Sequence, residues 1–140
     1  MEKNKILLSD ALNAYQSFKQ LAELQYNNFE TAYKIANAYK DLRDKVEFYS
    51  SQERKLMEAY AKKDSDGKVI IRDGNVIDFE TPELSMQYRR DVYNLQNTEV
   101  EIFDTIVVNV SDVKDNLNCF TPIQLISLEK LIKFKYKEDD

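Results

Sequence analysis

At 140 residues, with 43% hydrophobic and 32% charged side chains, the chain is long enough to bury a core and too mixed in composition to be disordered or membrane-like. Twenty Lys and Arg against 25 Asp and Glu leave a net charge of -5, which disfavours direct binding to a phosphate backbone and suits a basic protein surface. Histidine is absent, which removes the usual neutral-pH base, the commonest zinc ligand and every Ser-His or Cys-His nucleophile pair.

Residues 4 to 8 end in Ile6-Leu7-Leu8 and read as a short strand in preference to a first helical turn, with Ser9 as the N-cap of the helix that follows. That apolar run is too short for a signal-peptide core, and no run approaches the roughly 18 residues of a membrane span. From Asp10 to Tyr26, Ala11, Ala14, Phe18 and Leu21 fall in one row, with Leu12, Tyr15 and Ala22 beside it. The spacing predicts an amphipathic helix. Asn27, with Glu30 three residues on, fits a capping box opening a second helix. So brief a connection makes the two helices antiparallel.

The second helix is the main packing surface. Between Asn28 and Lys63, Ile35, Tyr39, Leu42, Val46, Tyr49, Leu56 and Tyr60 alternate four and three apart, and only Glu53 breaks the series. Such a heptad seam keeps one stripe apolar for about nine or ten turns. The helix outruns its predecessor, so the stretch from Tyr49 to Tyr60 needs a cover, either the C-terminal half of the chain or a second copy. Glu30 with Lys34, Asp41 with Lys45 and Glu58 with Lys62 mark the solvated face.

Asp64-Ser65-Asp66-Gly67 reads as a helix stop, and short β-branched runs on either side of Arg72-Asp73-Gly74 read as a β-hairpin. Thr81-Pro82-Glu83 opens a helix through Leu84, Tyr88, Val92 and Leu95 that stops near Asn97. In Glu99 to Val110 the residues Val100, Ile102, Ile106, Val108 and Val110 share one parity, as in a strand or in two strands bent near Asp104. Thr121-Pro122-Ile123-Gln124 repeats the cap signature and opens a last helix through Leu125, Leu128, Leu131 and Ile132. The charged tail from Lys135 to Asp140 is expected to fray.

Candidate chemistry is sparse. Placing Gly67 at position six of a calcium loop puts Lys62 at position one and Asp73 at position twelve, where an acid and a bidentate glutamate are needed. Neither glycine lies in a P-loop or a dinucleotide fingerprint. The carboxylates are scattered along helix faces with no spacing that demands convergence. Lys130, Lys133 and Lys137 beside Phe134 and Tyr136 could form a small basic-aromatic patch, which Glu138, Asp139 and Asp140 weaken. Cys119, the single cysteine, cannot form an internal disulfide and fits a reducing compartment.

The segments Glu58 to Lys68, Asp73-Gly74-Asn75, Leu95 to Ile102 and Thr121-Pro122 follow one another in an order that resembles the small uncharacterised proteins of siphophages and prophages of Gram-positive bacteria. The shared features are turns and caps. The family has no assigned activity to carry over, and its genes lie in the late region between tail or baseplate genes and lysis genes. The resemblance implies a phage context and synthesis in the host cytoplasm, with the virion as a second location.

The expected fold is α+β and helix-rich: an antiparallel helical hairpin with one long helix over about 9–63, then a β-hairpin, a strand region and two shorter helices over about 64–136, in a single domain of 1–140. The expected function is that of a non-catalytic protein-interaction protein, a minor tail or baseplate component or an assembly factor. Its alternative is a counter-defence inhibitor that presents an acidic face to a basic, nucleic-acid-binding host effector. Tyr49, Glu53, Leu56 and Tyr60 are the candidate partner-binding residues. No cofactor, metal, membrane or direct nucleic-acid partner is expected, whereas a protein partner is, and a second copy of the chain could serve as one.

Overall fold

The computed structural model describes residues 4–114 and 117–135. The fold is α+β, with four helices and six short strands among the described residues. It divides into two compact units, residues 1–46 with 99–140, and residues 47–98. These units cut the chain elsewhere than at the sequence-based division near residue 64. The reason is the long helix α2, Phe29–Tyr60, which contributes residues 29–46 to the first unit and 47–60 to the second.

In the first unit, β1 (Asn4–Leu7) leads directly into α1 (Leu8–Ala22). The cap is not Ser9: the Leu7 N–H donates to Asp10 Oδ2 at 3.1 Å, so an acid in the first turn satisfies the exposed donor. α1 also stops earlier than its periodicity suggests. Lys114 N–H donates to Gln25 O at 2.8 Å, Asn27 N–H donates to Asp112 O at 2.7 Å, and Tyr26 bridges Val113. Those distant bonds satisfy the backbone groups of 25–27 without further helical turns. Asn28 rather than Asn27 then caps α2, its Oδ1 accepting from the N–H of Glu30 at 2.8 Å and of Thr31 at 3.3 Å.

α1 and α2 form the expected helical hairpin. Ala11, Ala14, Phe18 and Leu21 of α1 share one core with Ile35, Ala38 and Leu42 of α2. Beside it the rings of Tyr15 and Tyr39 stack at 5.9 Å, with their hydroxyls 3.1 Å apart. The core is closed by two small sheets. β1 pairs antiparallel with β4 (Glu99–Ile102), Ile6 lying opposite Val100. β5 (Ile106–Asn109) pairs parallel with β6 (Ile132–Lys135), Ile106 opposite Ile132. The bend expected near Asp104 therefore separates two strands that join different sheets.

α4 (Pro122–Leu128) is held at its start by a full capping box: Thr121 Oγ1 accepts from Gln124 N–H at 3.2 Å, and Gln124 Oε1 accepts from Thr121 N–H at 2.8 Å. It does not continue through Leu131 and Ile132. Ile132-Lys133-Phe134-Lys135 alternates apolar and polar residues, and this period of two serves β6, which puts Ile132 in the core.

The second unit begins with the remainder of α2. Beyond it Ala61 bridges Phe79 and Lys63 bridges Val69. Asp64 Oδ1 accepts from the N–H groups of Asp66 and Lys68 at 2.8 and 3.0 Å, folding the Asp-Ser-Asp-Gly segment into a tight turn that uses the carboxylate on its own backbone. β2 (Ile71–Arg72) and β3 (Val76–Ile77) form the hairpin around Asp73-Gly74-Asn75, with Gly74 and Asn75 both at positive φ. α3 (Pro82–Gln96) starts as its signature predicts, Thr81 Oγ1 accepting from Leu84 N–H at 3.2 Å.

Candidate interaction site

The four residues singled out by the heptad seam lie in the second unit, where the chain covers them itself. Tyr49 is 5% exposed, and Glu53, Leu56 and Tyr60 are half-buried. The Tyr49 hydroxyl donates to Glu53 Oε2 at 2.8 Å and accepts from Gln96 Nε2 of α3 at 3.1 Å. The Tyr60 hydroxyl donates to Asp91 Oδ2 at 2.7 Å, and Gln87 Nε2 holds the other oxygen of Asp91 at 3.0 Å. The cover at Tyr49 and Tyr60 is therefore α3, which lies in the C-terminal half of the chain. Of the three, Tyr49 is buried, whereas Leu56 and Tyr60 keep part of their surface open.

Electrostatics here follow from burial. Removal from water pushes the Tyr49 phenol up to about 12, the proton it shares with Glu53 raising it further and the Gln96 amide opposing. Tyr60 is raised first by its bond to Asp91, and Tyr88 by burial and then by the charge of Glu53. All three stay protonated at neutral pH, so the network holds helices together by hydrogen bonds between neutral phenols and carboxylates.

The open surface of the molecule's first unit is different in kind. A groove of about 700 Å³ runs between α2 and the segment 103–107, with Tyr33, Ala38, Phe103, Ile106 and Val107 among its walls. Tyr33 is 59% exposed and stacks at 5.9 Å on Phe29, which is 81% exposed. An aromatic pair so open to water on one flank of a groove is the kind of surface that contacts other proteins. Three carboxylates, Glu30, Asp41 and Asp104, line the groove against one ammonium, Lys34. Asp41 is engaged already, bonding Lys45 at 3.1 Å and accepting from Phe103 N–H at 3.0 Å, which fixes the groove wall to α2. Asp104 is exposed and makes no ion pair among the described residues.

The same groove lies beside an unfinished sheet. β5 pairs only with β6 among the described residues. Ile106 N–H donates to Leu131 O at 3.0 Å on the β6 side. Because backbone groups alternate sides along a strand, the N–H and C=O of Val107 point to the opposite, unpaired edge. Val107 itself is 46% exposed.

No family model, no curated protein and no solved structure matches this chain. The functional reading therefore rests on the residues themselves. Of the suspected basic-aromatic patch, Lys133 and Phe134 lie on β6 and not on a helix end, Lys130 is paired with Asp10 at 3.2 Å, and Tyr136 and Lys137 lie outside the described residues. Among the described residues no three His, Cys, Asp or Glu side chains gather where a metal ion could be held, and no helix is long and apolar enough to cross a membrane.

Periodicity missed Phe29, Tyr33, Asp104 and Val107. The first two lie off the heptad stripe of α2, and Val107 has the parity opposite to the buried residues of β5. Apolar side chains on the face expected to be wet are the signal that could have found Phe29, Tyr33 and Val107.

Proposed function

We propose that this chain is a non-catalytic protein-interaction protein that holds a partner through the groove between α2 and residues 103–107. One observation carries the reading: an apolar groove flanked by the exposed Phe29–Tyr33 pair and rimmed by more carboxylates than ammonium groups. The absence of histidine in the sequence favours binding over catalysis. In the phage setting that the sequence resemblance implies, the partner is a tail or baseplate protein, and the role is that of a minor structural component or assembly factor.

The acidic rim also favours the second reading, a counter-defence protein that occupies the basic surface of a nucleic-acid-binding host effector. Affinity purification from infected cells, with the captured proteins identified by mass spectrometry, tests both. A phage structural protein recovered with the wild-type chain and lost with Tyr33→Ser supports the first, and a basic host effector lost with the same substitution supports the second. A chain that stays monomeric by light scattering and retains neither overturns the proposal.

A further inference from the structure

We propose that the partner enters this groove as an extended, basic segment and adds a strand to the open edge of β5. The inference rests on the reading of the groove as an interaction site and specifies what fills it. Val107 presents one N–H and one C=O to that edge, and neither has a partner among the described residues. An added strand exchanges both bonds with Val107, as peptides do when they extend an exposed sheet edge.

Alternation then decides the partner's side chains. In a strand laid along β5, every second side chain points into the groove, against Ala38 and Tyr33, and the intervening ones point out toward its rim. The inward positions call for apolar residues. The rim holds Asp104, which has no ion pair among the described residues, and Glu30, whose contact with Lys34 at 3.2 Å is between exposed side chains. The outward positions therefore call for Lys or Arg. Charge also argues against a second copy of this chain as the occupant. Each copy carries a net charge of -5, so two copies repel each other as whole molecules.

The test uses the full chain and a short peptide of alternating lysine and valine, alongside the same peptide N-methylated at alternate residues and a glutamate-valine counterpart. Calorimetry at low salt is expected to show binding of the lysine peptide, up to about tenfold weaker binding of its N-methylated form, which lacks the N–H that would donate to the Val107 carbonyl, and none of the glutamate peptide. Hydrogen exchange at the Val107 amide is expected to slow when the lysine peptide is present, a readout that needs no substitution in the protein.

Equal affinity for the methylated and unmethylated lysine peptides, with Val107 exchange unchanged, overturns strand addition while leaving the groove as an acidic docking site. No binding of the lysine peptide overturns the inference outright, and the proposed function is then judged by its own purification experiment. Concentration-dependent dimerisation that protects Val107 without any peptide assigns the edge to a second copy and also overturns it.

Discussion

The Tyr49 hydroxyl donates a hydrogen bond to Glu53, one turn further along α2, at 2.8 Å, and both side chains lie on the face that the heptad spacing marks as apolar. The one residue that breaks the seam is thus the acceptor for the seam's most buried phenol. With Gln96 donating to the same oxygen at 3.1 Å, the phenol is held from both sides, and Glu53 at this position accepts the O–H that the Gln96 donor cannot satisfy.

This arrangement makes stability fall at alkaline pH. Burial raises Tyr49 from 10.0 to about 12, and Tyr26, whose hydroxyl donates to Leu21 O at 2.7 Å, is raised to the same value by the same cause. Each folded value lies above the unfolded one, so the contribution is complete below pH 10, where both states are protonated. It is lost as the pH climbs toward 12, because the unfolded chain gives up its protons first. Urea unfolding across that range is expected to show the decline, and Tyr49→Phe to make it shallower, with phenolate absorbance of the native protein lagging that of free tyrosine.

Local signals served well wherever a short sequence closes its own hydrogen bonds. Thr81-Pro82-Glu83 and Thr121-Pro122-Ile123-Gln124 start helices where expected, and the turn at Asp73-Gly74 joins β2 to β3, because caps and turns are satisfied within a few residues. What failed depended on distant partners. Leu131 and Ile132 continue the helical spacing of α4, yet Ile132 opens a strand, since β6 pairs in register with β5 across the chain, Leu131 O accepting from Ile106 N–H. The end of α1, the segment of the C-terminal half that covers Tyr49, and the open edge at Val107 are likewise decided by which segments meet. No window of neighbouring residues contains that information.

α1 and α3 have the same length, 15 residues each, but not the same burial: six side chains of α1 are buried and none of α3 is. Within residues 47–98 only Tyr49 and Ala61 are buried, so little apolar area resists local opening there. Native-state hydrogen exchange is expected to find the amides of α3 opening at much lower free energy than those of α1, which share the core of Phe18, Leu21 and Leu42. Equal protection in the two helices would contradict this.

Two adjacent asparagines separate cap from connector. Asn28 Oδ1 accepts from two N–H groups at the start of α2, and Asn28→Ala is expected to cost about 1 kcal/mol in denaturant unfolding. Asn27 makes one long side-chain bond, to Ser111 O at 3.3 Å, so Asn27→Ala is expected to cost about 0.5 kcal/mol or less. The reverse order of the two would return the capping box to Asn27 and Glu30.

Phe29 and Tyr33 distinguish packing from recognition. Their rings stack on each other and are mostly open to water, so the double substitution Phe29→Ser with Tyr33→Ser is expected to change unfolding free energy by no more than about 0.5 kcal/mol. Aromatic side chains bordering a groove often anchor a partner, and losing two of them typically weakens an interface by about tenfold or more. The same variant is therefore expected to bind the alternating lysine-valine peptide at least that much more weakly by calorimetry while melting at the wild-type temperature. Loss of stability with affinity intact would place the pair in the fold's own support and leave the groove without its aromatic flank.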